Sequence, residues 1–315
     1  MLRTSKWSMY FIFMSGLSYL CAGENPTYEF LRNDVSARAA AMGGSFVSMT
    51  NDPSALFYNP ATLASLQRAQ AAFGFTKHLL DINSGNAVFA QKYEDVGYIG
   101  VAANYFNYGS FPRTDELANQ LGTFSAMDMS FSLSIARELD DNMFYGVTGK
   151  YIYSSIDDAR SSAVAADIGI LYLIPGKSPI TFGASVLNLG TQLTTYINTK
   201  EPLPLDVKIG GAVKPQGLPL VLNINFHKLN EQQETFTDRF RAFSVGGEFT
   251  LSKVLRFRFG YQNEKRKELK LGSSAGLAGF SFGGGIVLET MRFDYAYNSF
   301  DKIGNINRIT VGIDL

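Results

Sequence analysis

The chain has 315 residues, 28 basic and 28 acidic side chains, one cysteine and two histidines. That balance argues against a nucleic-acid partner, a lone cysteine excludes an intrachain disulfide, and two histidines cannot make a three-histidine metal site. Hydrophobic residues make up 46% of the sequence, with 25 Phe, 16 Tyr and 30 Gly, yet beyond the N-terminus no stretch is long and apolar enough to span as a helix, a mix that fits a sheet facing lipid.

In chain order, residues 1–22 read as a secretory signal peptide: Arg3 and Lys6, an apolar run from Trp7 to Leu20, then Ala22 and Gly23. The run is roughly 14 residues, against the 20 or so a spanning helix needs. Cys21 leaves with this segment, since the bulky Leu20 before it does not suit a lipoprotein signal. Residues 23–68 form a compact, Ala-rich stretch. Residues 36–42 suggest a short helical turn that stops at Met42-Gly43-Gly44, where glycine accepts left-handed backbone. Asn51 or Asp52 before Pro53, and Asn59 before Pro60-Ala61, each read as an N-cap with proline at the first helical position. Helices this short need something to pack against.

From residue 70 the hydrophobic period is two. Ala71, Phe73 and Phe75 alternate with Ala72, Gly74 and Thr76, and Met129, Phe131, Leu133 and Ile135 with serines. Fourteen strands are predicted, at 70–78, 84–93, 97–107, 125–137, 143–154, 162–173, 179–188, 204–214, 219–228, 241–251, 254–263, 278–288, 290–299 and 306–315. Lengths of about 9 to 11 residues suit a tilted bilayer crossing better than the 5 or 6 typical of globular proteins. Connections after the even-numbered strands are short. Those after strands three, seven, nine and eleven are long and polar, near 108–124, 189–203, 229–240 and 264–277. Short periplasmic turns and longer external loops are the usual asymmetry of outer-membrane barrels. The reading is an all-β, 14-stranded antiparallel transmembrane barrel over 69–315, holding residues 23–68 as a helical N-terminal hatch, in the bacterial outer membrane with both termini periplasmic.

The segments Met42-Gly43-Gly44-Ser45-Phe46-Val47 and Asn51-Asp52-Pro53-Ser54-Ala55-Leu56-Phe57-Tyr58-Asn59-Pro60-Ala61 resemble the N-terminal hatch of FadL-like outer-membrane barrels. They look closest to the PorV/PorQ family of the type nine secretion system. Tyr28-Glu29-Phe30-Leu31 and the stretch from Phe293-Asp294-Tyr295-Ala296-Tyr297 to Arg308-Ile309-Thr310 are similar to the PorQ branch. The resemblance implies a non-enzymatic scaffold or anchor for a surface attachment complex, or, as the alternative, a FadL-like channel for uptake of hydrophobic compounds.

Pairing faces across the short turns sets Glu248 near Arg256 and Arg258, Arg292 beside Asp294, and Lys150 with Asp167 on neighbouring inner faces. A charge held away from bulk water needs a partner, so these read as a compensated lumen, and their other possible use is to select a solute. His78 and His227 sit in no catalytic motif, and no carboxylate cluster has ligand spacing, so no catalytic residue, metal or cofactor is expected. The expected partners are outer-membrane lipid, a surface or secretion-system protein held through the external loops, and lipopolysaccharide phosphates at the charged segment 264–270.

Overall fold

The computed structural model describes residues 26–233, 235–269 and 276–315. The expected signal peptide, and Lys270 of the charged segment, lie outside them. Fourteen antiparallel strands close into a barrel in which each pairs with its sequence neighbours and the first pairs with the last. The strands are β1 Gln70–Lys77, β2 Asn83–Tyr93, β3 Gly97–Thr114, β4 Gln120–Asp140, β5 Met143–Ile156, β6 Ala159–Ile174, β7 Ile180–Thr194, β8 Asp206–Val213, β9 Leu220–Phe226, β10 Phe243–Thr250, β11 Leu255–Gln262, β12 Phe280–Val287, β13 Met291–Ser299 and β14 Asn305–Asp314. Gln70 opposite Asp314 and Lys77 opposite Asn307 fix the seam, and closure leaves no unpaired edge. Phe73, Phe75, Phe131 and Leu133 face outward, while Ser130, Ser132 and Ser134 are buried inside, so the two-residue period sorts apolar side chains to the outer wall.

The wall is uneven. β3 and β4 run 18 and 21 residues, roughly 60 Å or more along each strand, well beyond a bilayer crossing. Most of the polar loop expected at 108–124 is therefore strand, with Phe111 stacked on Phe124 at 5.4 Å across the hairpin. A register shift between Asn107 and Ser110 passes through Gly109 at φ +84°, a conformation that suits glycine. Just before it, the Tyr108 hydroxyl donates to Asp128 Oδ2 at 2.6 Å. β8 to β12 are only 7 or 8 residues each, shorter than the 9 to 11 expected. At the long-loop end this low side carries a 3-10 helix, Phe236–Arg241, and a short helix, Asn263–Glu268, where the sequence suggested a charged loop.

Residues 26–68 fold inside the wall. The helix α1, Ala37–Ala41, is capped by Ser36, whose hydroxyl accepts from Ala39 N at 3.1 Å. The two proline-led segments, Pro53–Phe57 and Pro60–Ser65, are 3-10 helices, each with its predicted cap: Asp52 accepts from Ser54 N and Asn59 from Ala61 N. The inner wall meets them with glycine on seven strands. A Cβ at Gly100 would strike Leu63, at Gly146 the Pro60–Ala61 peptide, at Gly169 Asn59, at Gly183 the Val47 carbonyl, at Gly246 Met42, at Gly260 Gly43 N, and at Gly283 Ala41, all under 3.0 Å. The missing side chains are the space the hatch occupies. Apolar packing completes the seat, with Leu56, Leu63, Ala64 and Leu66 against Ala72, Val88, Ala90, Ala102 and Ala136 of the wall.

Candidate functional site

Arg38 stands in the Ala-rich helix α1, almost wholly buried, and a guanidinium there must be met by carboxylates. Glu248 of β10 takes it in a bidentate fork, Arg38 Nε to Oε2 and Nη2 to Oε1, both 2.8 Å. Arg38 Nη1 lies 3.2 Å from Asp52 Oδ2, and Arg292 Nη2 of β13 donates to the same oxygen at 2.7 Å. Arg292 Nε donates to Asp294 Oδ2 at 2.7 Å, Asp294 Oδ1 accepts from Arg258 Nη1 at 2.8 Å, and Arg258 Nε returns to Glu248 Oε2 at 2.6 Å. Three guanidinium groups and three carboxylates thus alternate in a closed ring, two members from the hatch and four from the wall. Burial works against both hatch charges; Arg292 and Arg38 nevertheless hold the Asp52 carboxyl below the usual range, and Glu248 and Asp52 hold Arg38 above its own. The ring is a latch that is neutral as a whole and charged at every point.

The other expected residues fall as follows. Lys150 Nζ is 2.7 Å from Asp167 Oδ2 and donates to Asn188 Oδ1 at 2.8 Å, a separate pair on β5 and β6. Asn59 is buried and, besides capping, donates to Val47 O and Ile170 O at 2.9 Å each. Met42 and Gly43 lie on the wall glycines Gly246 and Gly260, Gly44 lies against Asp34 within the hatch, and Pro53, Pro60 and Ala61 start the 3-10 helices. Arg256 does not join Glu248: it faces Thr250 across the ladder and its Nη1 donates to Ser252 O at 2.7 Å, because it sits one pleat beyond Arg258, at the rim. Arg38 itself was missed, although a lone charge in an Ala-rich segment placed inside a barrel is a readable signal of a buried partner.

Above the hatch, at the long-loop end, opens a cavity of about 510 Å³. One side is apolar: Phe30 lies 5.7 Å from Phe106, with Ile82, Tyr108 and Ile306 beside them. The other side is charged. Lys265 approaches Asp34 Oδ2 of the hatch at 3.7 Å, and Glu264 receives Lys228 Nζ at 2.6 Å and lies 3.1 Å from His227 Nε2. Both histidines of the chain line this cavity; His78, packed against Phe106 at 5.0 Å, has its pKa pushed down to about 4 by burial and then by Arg308 and Lys265. Asp34 ties the floor, since its carbonyl accepts from Arg308 Nε at 3.1 Å and its carboxylate from the Tyr58 hydroxyl at 3.2 Å. Below the hatch, at the short-turn end, a second cavity of about 330 Å³ is lined by Lys214, Arg256 and the lower side of the ring. Among the described residues no group of three potential ligands could hold a metal ion.

A closed fourteen-stranded antiparallel barrel with a helical hatch latched across its lumen is the fold of this chain. It is similar to the CymD monoaromatic hydrocarbon channel, with TM-score 0.58 and 11% identity over 89% of this chain and 97% of that one. It is similar also to the Pseudomonas putida toluene transporter TodX, with TM-score 0.54 and 12% identity over 89% and 96%. A Pseudomonas aeruginosa FadL homologue aligns with TM-score 0.51 and 10% identity over 89% and 98%. The first of these is described as a channel and the second as a transporter. No family model and no curated protein sequence matches the chain.

Proposed function

We propose that the protein is a hatch-gated uptake channel of the outer membrane for small hydrophobic compounds, oriented with the long loops outside and both termini in the periplasm. The observation that carries this reading is the cavity resting directly on the hatch, with an aromatic side at Phe30, Phe106 and Tyr108 on which an apolar solute can pack. Its charged side, through Asp34 and Lys265, connects an arriving solute to the hatch floor. Outer-membrane lipid covers the apolar outer wall, and the names of the similar structures support an apolar cargo. In proteoliposomes, uptake of a monoaromatic hydrocarbon should fall severalfold in Phe106→Asp, which replaces the aromatic face with a carboxylate, with the barrel still heat-modifiable; equal uptake by the variant overturns the reading.

The second reading is a scaffold for the type nine secretion system, favoured by one observation: the hatch is bonded to the wall on several sides, by Asn86 to Val35 O, Ser185 to Tyr58 O and Asn298 to Ala40 O. A barrel sealed that way serves as an anchor, with the β3–β4 hairpin and the external loops holding a surface protein or lipopolysaccharide. Crosslinking in native membranes distinguishes the two. A scaffold yields a stable surface partner and loses it when residues 229–240 are replaced by a short Gly/Ser turn, without change in hydrocarbon uptake.

A further inference from the structure

The ring of six charges is self-compensating, yet the cavity beneath it is not. Its lining carries Lys214 and Arg256 in addition to the ring arginines. Lys214 Nζ makes no hydrogen bond or ion pair with any described residue, and Arg256 has no carboxylate within ion-pair distance. Arg256 is nonetheless fixed: its Nη1 donates to the carbonyls of Ser252 at 2.7 Å and Leu255 at 3.1 Å, which leaves Nε and Nη2 unspent. Arg292 lines the same space, about one-fifth exposed. The nearest rim acid, Asp314, is already engaged by Gln70 Nε2 at 3.0 Å and by Arg68 at 3.9 Å. The result is a recess with donors to spare, the fixed Arg256 and the exposed, unpaired Lys214, bounded by a low-dielectric wall that strengthens their field.

We infer that this recess is a binding site for a small, multiply charged oxyanion. Arg256 offers a planar fork suited to paired oxygens and Lys214, just past the end of β8, a compact charge. A volume of about 330 Å³ admits a molecule of the size of a diphosphate or a tricarboxylate, and excludes a long acyl chain. Under the proposed orientation the ligand enters from the periplasm and sits at the foot of the latch, beside the arginine that holds Asp52.

Calorimetric titration of the purified full chain in a zwitterionic detergent, at fixed ionic strength in sodium chloride, tests this with two probes, pyrophosphate and citrate. One-site, saturable binding of at least one probe is expected, weakened about tenfold or more in Arg256→Gln and in Lys214→Gln, and partly retained in Arg256→Lys. Binding of pyrophosphate alone assigns a phosphate-bearing ligand; citrate alone assigns a polycarboxylate. The melting temperature without ligand should match the wild type in each variant, because neither residue belongs to the ring. Absence of saturable binding by both probes, or equal affinity in the Gln variants, overturns the site. Binding is read without transport, so failure of the channel reading would leave this result standing.

Discussion

At the scale of single residues, Asp52 joins two roles that a local reading separates. It caps Pro53–Phe57 through Ser54 N at 2.9 Å and closes the ring by accepting from Arg38 and Arg292. Asp52→Asn keeps much of the cap but leaves the ring one carboxylate short, with Arg38 still forked on Glu248 and Arg292 still on Asp294, so a buried net positive charge remains, at a cost of up to about 3–5 kcal/mol. Arg38→Met leaves the opposite imbalance, a buried net negative charge, with Glu248 held by Arg258 alone and Asp52 by Arg292 alone. Together the two changes remove one charge of each sign and leave the four wall charges balanced, so the double variant should be more stable than the sum of the singles predicts. Denaturant unfolding of the four proteins in detergent checks this; additive losses would mean that the ring does not act as a unit. A second test concerns the rim. Burial raises the Glu264 carboxyl, but His227 and Lys228 outweigh it and hold it at about 2 rather than 4.5. A carboxyl lowered in the folded state contributes its full stabilisation above its ordinary value, and loses it as pH falls from about 4.5 towards 2. Proteolysis at the Asn263–Glu268 helix should therefore rise across that window in the wild type and be high at every pH in Glu264→Gln; a flat wild-type profile would contradict the docking role.

At the scale of elements, the fit between hatch and wall rests on absent side chains. Gly146 of β5 lies where a Cβ would come within 2.5 Å of the Pro60–Ala61 backbone, which has no flexible end that could move aside. Gly146→Ala should loosen residues 59–66 and leave β1 to β4 unchanged, visible as faster hydrogen exchange confined to the hatch; unchanged exchange there would show that the segment is not seated as described. Asn59→Ala removes the cap and two further buried bonds, so its cost should reach about 2–3 kcal/mol, above the roughly 1 kcal/mol of a cap alone. How much of this was legible follows the range of each signal. Strand number and outward faces could be read because the period of two is local and is enforced by lipid on one side. The upper halves of β3 and β4 could not, since Arg113 to Asn119 rises clear of any bilayer, loses that constraint and has the composition of a loop. The caps at Asp52 and Asn59 were readable from their prolines. The ring was not, because its members come from positions 38, 52, 248, 258, 292 and 294, brought together only by closure of the barrel. The pairing of Glu248 with Arg258 was within reach, one turn away, whereas Arg256 needed the register to show that it falls short of the carboxylate.

At the scale of the whole molecule, the uneven wall and the two cavities give the barrel a direction. The long-loop end bears the tall β3–β4 hairpin, whose tip carries Leu117, more than four-fifths exposed. The short-turn end gathers both ends of the barrel sequence, with Leu315 N donating to Ala69 O at 2.9 Å. The proposed orientation puts the N-terminal segment at the periplasmic side of the lumen and the tall hairpin outside the cell, where long barrel loops normally lie. Cys21 is the only cysteine and is expected to leave with the signal peptide, so a cysteine introduced into the barrel is a single probe site. In intact cells a membrane-impermeant maleimide should label Leu117→Cys, while Lys253→Cys, in the turn between β10 and β11, should be labelled only after the outer membrane is permeabilised. Labelling of Lys253→Cys alone in intact cells would invert the molecule. The aromatic cavity would then face the periplasm and the cationic recess the exterior, and the uptake direction proposed for the channel would fail with the topology.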